Sequence, residues 1–175
     1  LRTGTSHELG IVIAGVQATY DNNGPKMYVA LVSVKGLTNW ETLVSTDGKK
    51  DGQGGSQGVH GLAVLQDKKI VAVGGRRAPS KPGDWGKFRG WLAVLTSKGA
   101  VASNKVIEES HQLWLLGAHQ SPDGDLYTFG RASDGDAYGY DTPWGARHGG
   151  LMLYRHNLAG DPLWKRRINT IGAAN

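Results

Sequence analysis

Three aspartates stand close together in the segment "SDGDAYGYD": Asp134, Asp136 and Asp141. Carboxylates at this spacing can gather around calcium, which takes roughly six to eight oxygen ligands. They are the chain's candidate metal ligands, and Ca2+ is the ion they would suit. The pattern departs from the helix–loop–helix calcium site, because no glutamate closes it and no helix is expected on either side. Solvated turn carboxylates are the plainer expectation, and no cofactor is required. The histidines His7, His60, His111, His119, His148 and His156 contain no HxH or HxxxH pair, so their default role is that of buried or half-buried packing residues. The G-x-S-x-G match "GGSQG" (54–58) lacks the strand–turn–helix context of a serine nucleophile and reads as a flexible loop. The run "GQGGSQG" lacks the GK[ST] ending and following helix of a phosphate loop. Glu108, Glu109 and Asp123 form no recognisable acid–base pair. The absence of cysteine removes thiolate catalysis, disulfides and cysteine–zinc sites together. No catalytic residue is assigned.

The aromatic residues carry a stronger signal. Tyr20, Trp85, Phe88, Tyr138, Tyr140 and Trp144, six of the fourteen aromatics, fall in three long polar segments, 16–26, 75–89 and 131–148. Flat rings with Arg, Asn and Asp nearby suit a sugar-binding platform or a protein contact. The alternative is that they pack these segments against one another.

The elements that position these segments repeat. "ELGIVIAG" (8–15), "DKKIVAVG" (67–74) and "DGDLYTFG" (123–130) each give an acidic residue, turn residues, an apolar strand and a terminal glycine, at glycine intervals of 59 and 56 residues. Each is followed, after a long segment, by an apolar strand, a tight turn ending in glycine and another strand. These are "KMYVALVSVKGLTNW" (26–40), "RGWLAVLTSKGAVAS" (89–103) and "GGLMLYRHNLAGDPLW" (149–164), with Trp40, Ser103 and Trp164 at one position. A further strand precedes the acidic turn in "GVHGLAVLQD" (58–67) and "LWLLGAHQSPD" (113–123); the first copy lacks most of it. The order is strand A, tight turn, strand B ending at glycine, long B–C segment, strand C, tight turn, strand D. Continuous or alternating apolar runs rich in β-branched residues predict strands throughout and no helix.

The fold class is therefore all-β, one segment over 1–175 with approximate repeats 1–52, 53–110 and 111–175. The pattern resembles the blade repeats of bacterial secreted and surface β-propeller proteins, which read approximately "DGGYIVAG…VYLVKLDSDGNLLW". The third copy is the most similar, and the resemblance covers nearly the whole chain. It implies three four-stranded antiparallel blades of a larger ring, since propellers typically carry about four to eight. Further blades or other chains would complete it. A β-trefoil, which also has three four-stranded repeats, is the alternative. In a propeller the tight A–B and C–D turns lie at one end, and the B–C segments with the D–A connection 46–58 at the other. The resemblance implies ligand binding at that second end. His60 and His119 lie near A strands, where they could line a central channel, at non-equivalent positions.

A net charge of +5 arises from scattered residues, Lys49 and Lys50, Arg76 and Arg77, and Lys165 to Arg167, with no basic recognition helix, so nucleic acid is not an expected partner. No apolar run approaches the roughly 20 residues of a membrane-spanning helix. The chain begins "LRTGTSHELG" and is read as a mature, clipped or partial form; the propeller resemblance implies a secreted, periplasmic or cell-surface protein. The leading expectation is a non-catalytic binding module taking carbohydrate or protein at its B–C segments. Part of a propeller enzyme or redox protein, with its active groups on other blades or at the channel, is the second reading. A structural subunit of an assembly is the third.

Overall fold

The computed structural model of the chain describes residues 3–7, 10–17, 26–44, 58–77, 88–109, 112–133 and 149–168. Five tight turns share one hydrogen-bonding scheme, at 33–37, 65–69, 96–100, 121–125 and 157–161. In each, the fourth amide donates to the first carbonyl and the first amide to the fifth carbonyl. The fourth residue is left-handed, with φ between 79° and 91° at Gly36, Gly99, Gly124 and Gly160. Glycine adopts this conformation without the strain that a Cβ adds. Lys68 holds the same position at φ 64°, the one non-glycine with positive φ among the described residues. In four of the turns the opening side chain accepts from the fifth amide, at 2.9–3.2 Å from Ser33, Thr96, Ser121 and Asn157. The remaining turn opens on Leu65, and Asp67 instead accepts from the Lys69 amide at 3.2 Å.

These turns join strands into three antiparallel meanders. The first sheet has the order β1 (Thr3–His7), β2 (Gly10–Gln17), β3 (Lys26–Val32), β4 (Thr38–Val44). The middle sheet runs β5 (Gly58–Val64), β6 (Ile70–Arg77), β7 (Phe88–Leu95), β8 (Val101–Ile107). The last runs β9 (Gln112–Gln120), β10 (Leu126–Ser133), β11 (Gly149–His156), β12 (Pro162–Ile168). The chain is all-β over these residues, with no helix among them. The leading strand of the first sheet is present but short, five residues against seven in β5 and nine in β9.

Strand B does not stop at its glycine, contrary to the sequence expectation. β6 continues through Arg77, pairing Gly75 with Gly90, Arg76 with Arg89 and Arg77 with Phe88. β10 likewise continues to Ser133. The glycine marks a close approach instead. Strand A bulges opposite it: the register between β5 and β6 passes over His60, and that between β9 and β10 passes over Leu116. A Cβ on Gly74 would lie 1.7 Å from the Gly58 carbonyl oxygen, and one on Gly130 would lie 2.3 Å from that of Trp114. A β-bulge bends its strand and disrupts the ladder; here the carbonyl two residues before the extra one lies against the glycine, and only glycine leaves room for it.

The sheets stack face to face in one sense. Between the first and middle sheets lie Val12, Ala14, Met27, Val29 and Leu31 against Ile70, Ala72, Trp91, Ala93 and Leu95. Between the middle and last lie Val71, Val73, Leu92 and Val94 against Leu113, Leu115, Leu126, Met152 and Tyr154. The middle sheet is thus apolar on both faces, which is why "IVAVGG" and "GWLAVL" are continuous rather than alternating. Equivalent positions point the same way in each sheet: Val12 and Val71 face the following sheet, and Ile70 and Leu126 the preceding one. Leading strands lie together, β1 and β2 against β5, and β5, β6 and β7 against β9.

Candidate functional site

An antiparallel meander puts the tight turns at one end of each sheet and the B–C segments at the other. The tight-turn end is tied across sheets. Gln120 accepts from the Gln66 amide at 2.6 Å, and Gln66 Nε2 donates to the carbonyls of Ser121 (3.3 Å) and Pro122 (3.1 Å). Asp123 is an exposed turn residue here, not part of a site.

Of the residues predicted to bind ligand, Tyr20, Trp85, Tyr138, Tyr140 and Trp144 lie outside the described residues, as do Asp134, Asp136 and Asp141. Phe88 is described, and it opens β7 rather than sitting in the preceding loop. Its ring packs on Trp114 of β9 at a centroid distance of 4.8 Å, tilted by 33°. Trp114 in turn lies over Gly75, where a Cβ would come within 2.6 Å of the indole. The pair therefore bridges the middle and last sheets at the B–C end. At the same strand ends Arg76, which is buried, and Arg89, which pairs with Glu108, alternate to the opposite face of the middle sheet from Gly75 and Phe88, while Arg131 lies opposite Trp114 in the β9–β10 ladder. Sequence reading passed over Trp114 because it lies inside the apolar run "LWLLG". Only its register opposite Arg131 puts it near this end.

A second candidate is a cleft of about 490 Å³ between β8 and β12. Its half-buried carboxylate, Glu109, is fully engaged. Lys165 Nζ donates to both of its oxygens at 2.9 and 2.7 Å, and the Tyr154 hydroxyl donates to one at 3.0 Å. Burial first, then the Glu109 charge, pushes the Tyr154 phenol far above its ordinary value, so it stays protonated. Across the cleft Lys105 pairs with Asp161 at 2.8 Å. That hydrogen bond, then one from Asn157, holds the Asp161 carboxyl below the usual range. Each carboxylate here has its cation, which describes a cross-sheet tie rather than an acid–base pair.

The histidines are dispersed. His60 is the extra residue of the β5 bulge, and His119 is exposed on β9 opposite Tyr127. His7 is in β1, while His111 and His148 lie outside the described residues. Among the described residues no three His, Cys, Asp or Glu side chains gather as metal ligands. His156 is buried. Its Nδ1 faces the Gly160 carbonyl at 3.1 Å, so this nitrogen carries the proton, and Nε2 accepts from the Thr128 hydroxyl at 2.8 Å. Burial lowers its pKa. The unfolded chain takes up a proton near pH 6.5, where folded His156 stays neutral. Its stability contribution is full above about pH 6.5 and declines as pH falls between that value and the lower folded one, by up to ~1.4 kcal/mol per pH unit. Urea unfolding across a pH series should show this slope, and His156→Gln should flatten it. No protein-family model matches the chain, and no curated protein is significantly similar to it.

Proposed function

We propose that the three sheets are consecutive blades of a β-propeller, and that the chain is a non-catalytic module binding carbohydrate at its B–C end. Three observations support the blade reading: each sheet is a complete meander, the sheets stack in one sense, and their leading strands lie side by side. A trefoil would pair strands of different repeats, whereas every pairing among the described residues lies within one repeat. A secreted, periplasmic or cell-surface setting goes with this reading.

The observation that carries the binding reading is the half-buried Phe88–Trp114 pair, with Arg131 opposite Trp114, at the strand ends from which the aromatic-rich segments leave. Aromatic faces suit the apolar faces of sugars, and polar groups at their rims suit the hydroxyl edges. Loops held on a rigid sheet scaffold are where binding residues concentrate. The test uses immobilised cellulose, chitin, xylan and mannan. At least one polymer should retain the protein. Trp85→Ala and Trp144→Ala should each weaken that retention by about tenfold or more, roughly 1.4 kcal/mol, while Tm stays within about 3 °C of the parent. No retention on any polymer would discard the carbohydrate reading and turn the search to a protein ligand.

A further inference from the structure

Among the described residues, nothing covers the preceding-side face of the first sheet or the following-side face of the last. Ile11, the equivalent of buried Ile70 and Leu126, is 50% exposed. On the last sheet Phe129, the equivalent of buried Ala14 and Val73, is 42% exposed, and Leu151, the equivalent of buried Met27, is exposed beside it. These are the two halves of an interface the chain already makes twice.

The outer strands repeat the argument in polar detail. At the first junction Trp40 of β4 donates Nε1–H to the Ser97 carbonyl at 3.1 Å, and Thr42 donates to the Gly99 carbonyl at 2.6 Å. A Cβ on Gly99 would come within 2.6 Å of the Trp40 ring. At the second junction Lys105, equivalent to Thr42, reaches the 157–161 turn through Asp161, and Gly160 lies against Leu92. The third turn of this kind, 33–37, has no such cover among the described residues. A Cβ on Gly36 would meet nothing within 4 Å, and Val34 is 88% exposed. Trp164, equivalent to Trp40, is 39% exposed at the far end of the stack. One end thus presents the tryptophan and the other the bare glycine turn.

We propose that the occupant of both open faces is a second copy of this chain. The last sheet of each copy stacks on the first sheet of the other, with Trp164 over Gly36 and its Nε1–H donating to the Val34 carbonyl. Arg166, equivalent to Thr42, reaches the Gly36 carbonyl. Two copies supply six sheets, within the usual propeller range. The interface is heterologous, using different patches on the two partners, and closes after two copies. This inference rests on the reading of the sheets as blades.

Light scattering on the purified chain should give twice 18.7 kDa. Ile11→Lys and Leu151→Lys each leave the chain folded by circular dichroism, because both sites are exposed, and each should reduce the mass to that of one chain. Mixing the two variants should restore a dimer, since one wild-type junction remains between them. A folded monomeric parent would overturn the second copy as occupant, leaving the blade reading to further sheets of a longer chain. A dimer dissociated by only one of the two variants would mean like face on like face, and would overturn the blade reading itself. Open-ended growth with concentration would overturn closure at two copies.

Discussion

Gly74→Ala is expected to destabilise the chain by about 3 kcal/mol or more, a large share of the roughly 5–15 kcal/mol that holds a typical domain folded. The added methyl would lie 1.7 Å from the Gly58 carbonyl oxygen, 2.8 Å from its carbon and 3.1 Å from the Val59 Cα. All three are backbone atoms of the paired strand, so no side chain can turn away to make room. Relief requires the bulge around His60 to open, which breaks the ladder between β5 and β6. Gly36→Ala is the control. It meets no atom of its own chain within 4 Å but sits at φ 79°, so in the Leu151→Lys background, where no partner's Trp164 covers it, its loss is the left-handed strain alone, about 1–2 kcal/mol. Urea midpoints of the two variants separate collision from backbone strain. If Gly74→Ala were no worse than Gly36→Ala, the bulge would be misplaced.

This pair also shows what the sequence made legible. Both glycines stand out as recurring signals, and the tight-turn glycines were assignable because Lys-Gly, Asp-Gly and Ala-Gly between apolar runs have a local conformational reason. The glycine ending each B strand has no local reason. Gly74 and Gly130 answer to an extra residue in another strand, and periodicity within one strand carries no information about a register shift in its partner. Their recurrence was visible and their cause was not. The strand therefore read as ending where it continues, and Phe88 read as a loop residue although it pairs with Arg77. Trp114 was hidden for the same reason. In "LWLLGAH" it looks like one more core residue, and only the register opposite Arg131 moves it to the B–C end. The Trp40–Ser97 and Lys105–Asp161 ties join sheets whose relative placement no local pattern encodes. The repeat alignment still carried their logic, because it set Trp40 and Trp164 at one position.

Trp91→Ala should be the most damaging single side-chain truncation. Trp91 is fully buried between the first and middle sheets, and its Nε1–H donates to Asn104 at 2.6 Å. Truncating a buried tryptophan removes about 3–5 kcal/mol. The loss should not spread evenly. Sheets stacked in series touch only their neighbours, so stability is the sum of each unit and its junctions. Trp91 belongs to the junction of Val12, Met27 and Leu31, whereas the next junction is built from the opposite face of the same strands. Hydrogen exchange on Trp91→Ala should therefore show β2 and β3 amides losing protection well before those of β10 and β11. Uniform loss across all three sheets would mean that the stack unfolds as one cooperative unit, and the independence of its two cores would have to be given up. The position is also informative across repeats, because Tyr28 occupies it in the first sheet and makes the matching hydrogen bond to Glu41 at 3.1 Å. In the middle sheet that aromatic–polar pair is covered by a neighbour, and in the first it faces outward. If a second copy covers it, Tyr28→Ala should be mild in a dissociated Leu151→Lys background and costly in the parent. The size of that difference measures how much of the chain's stability resides in the partner.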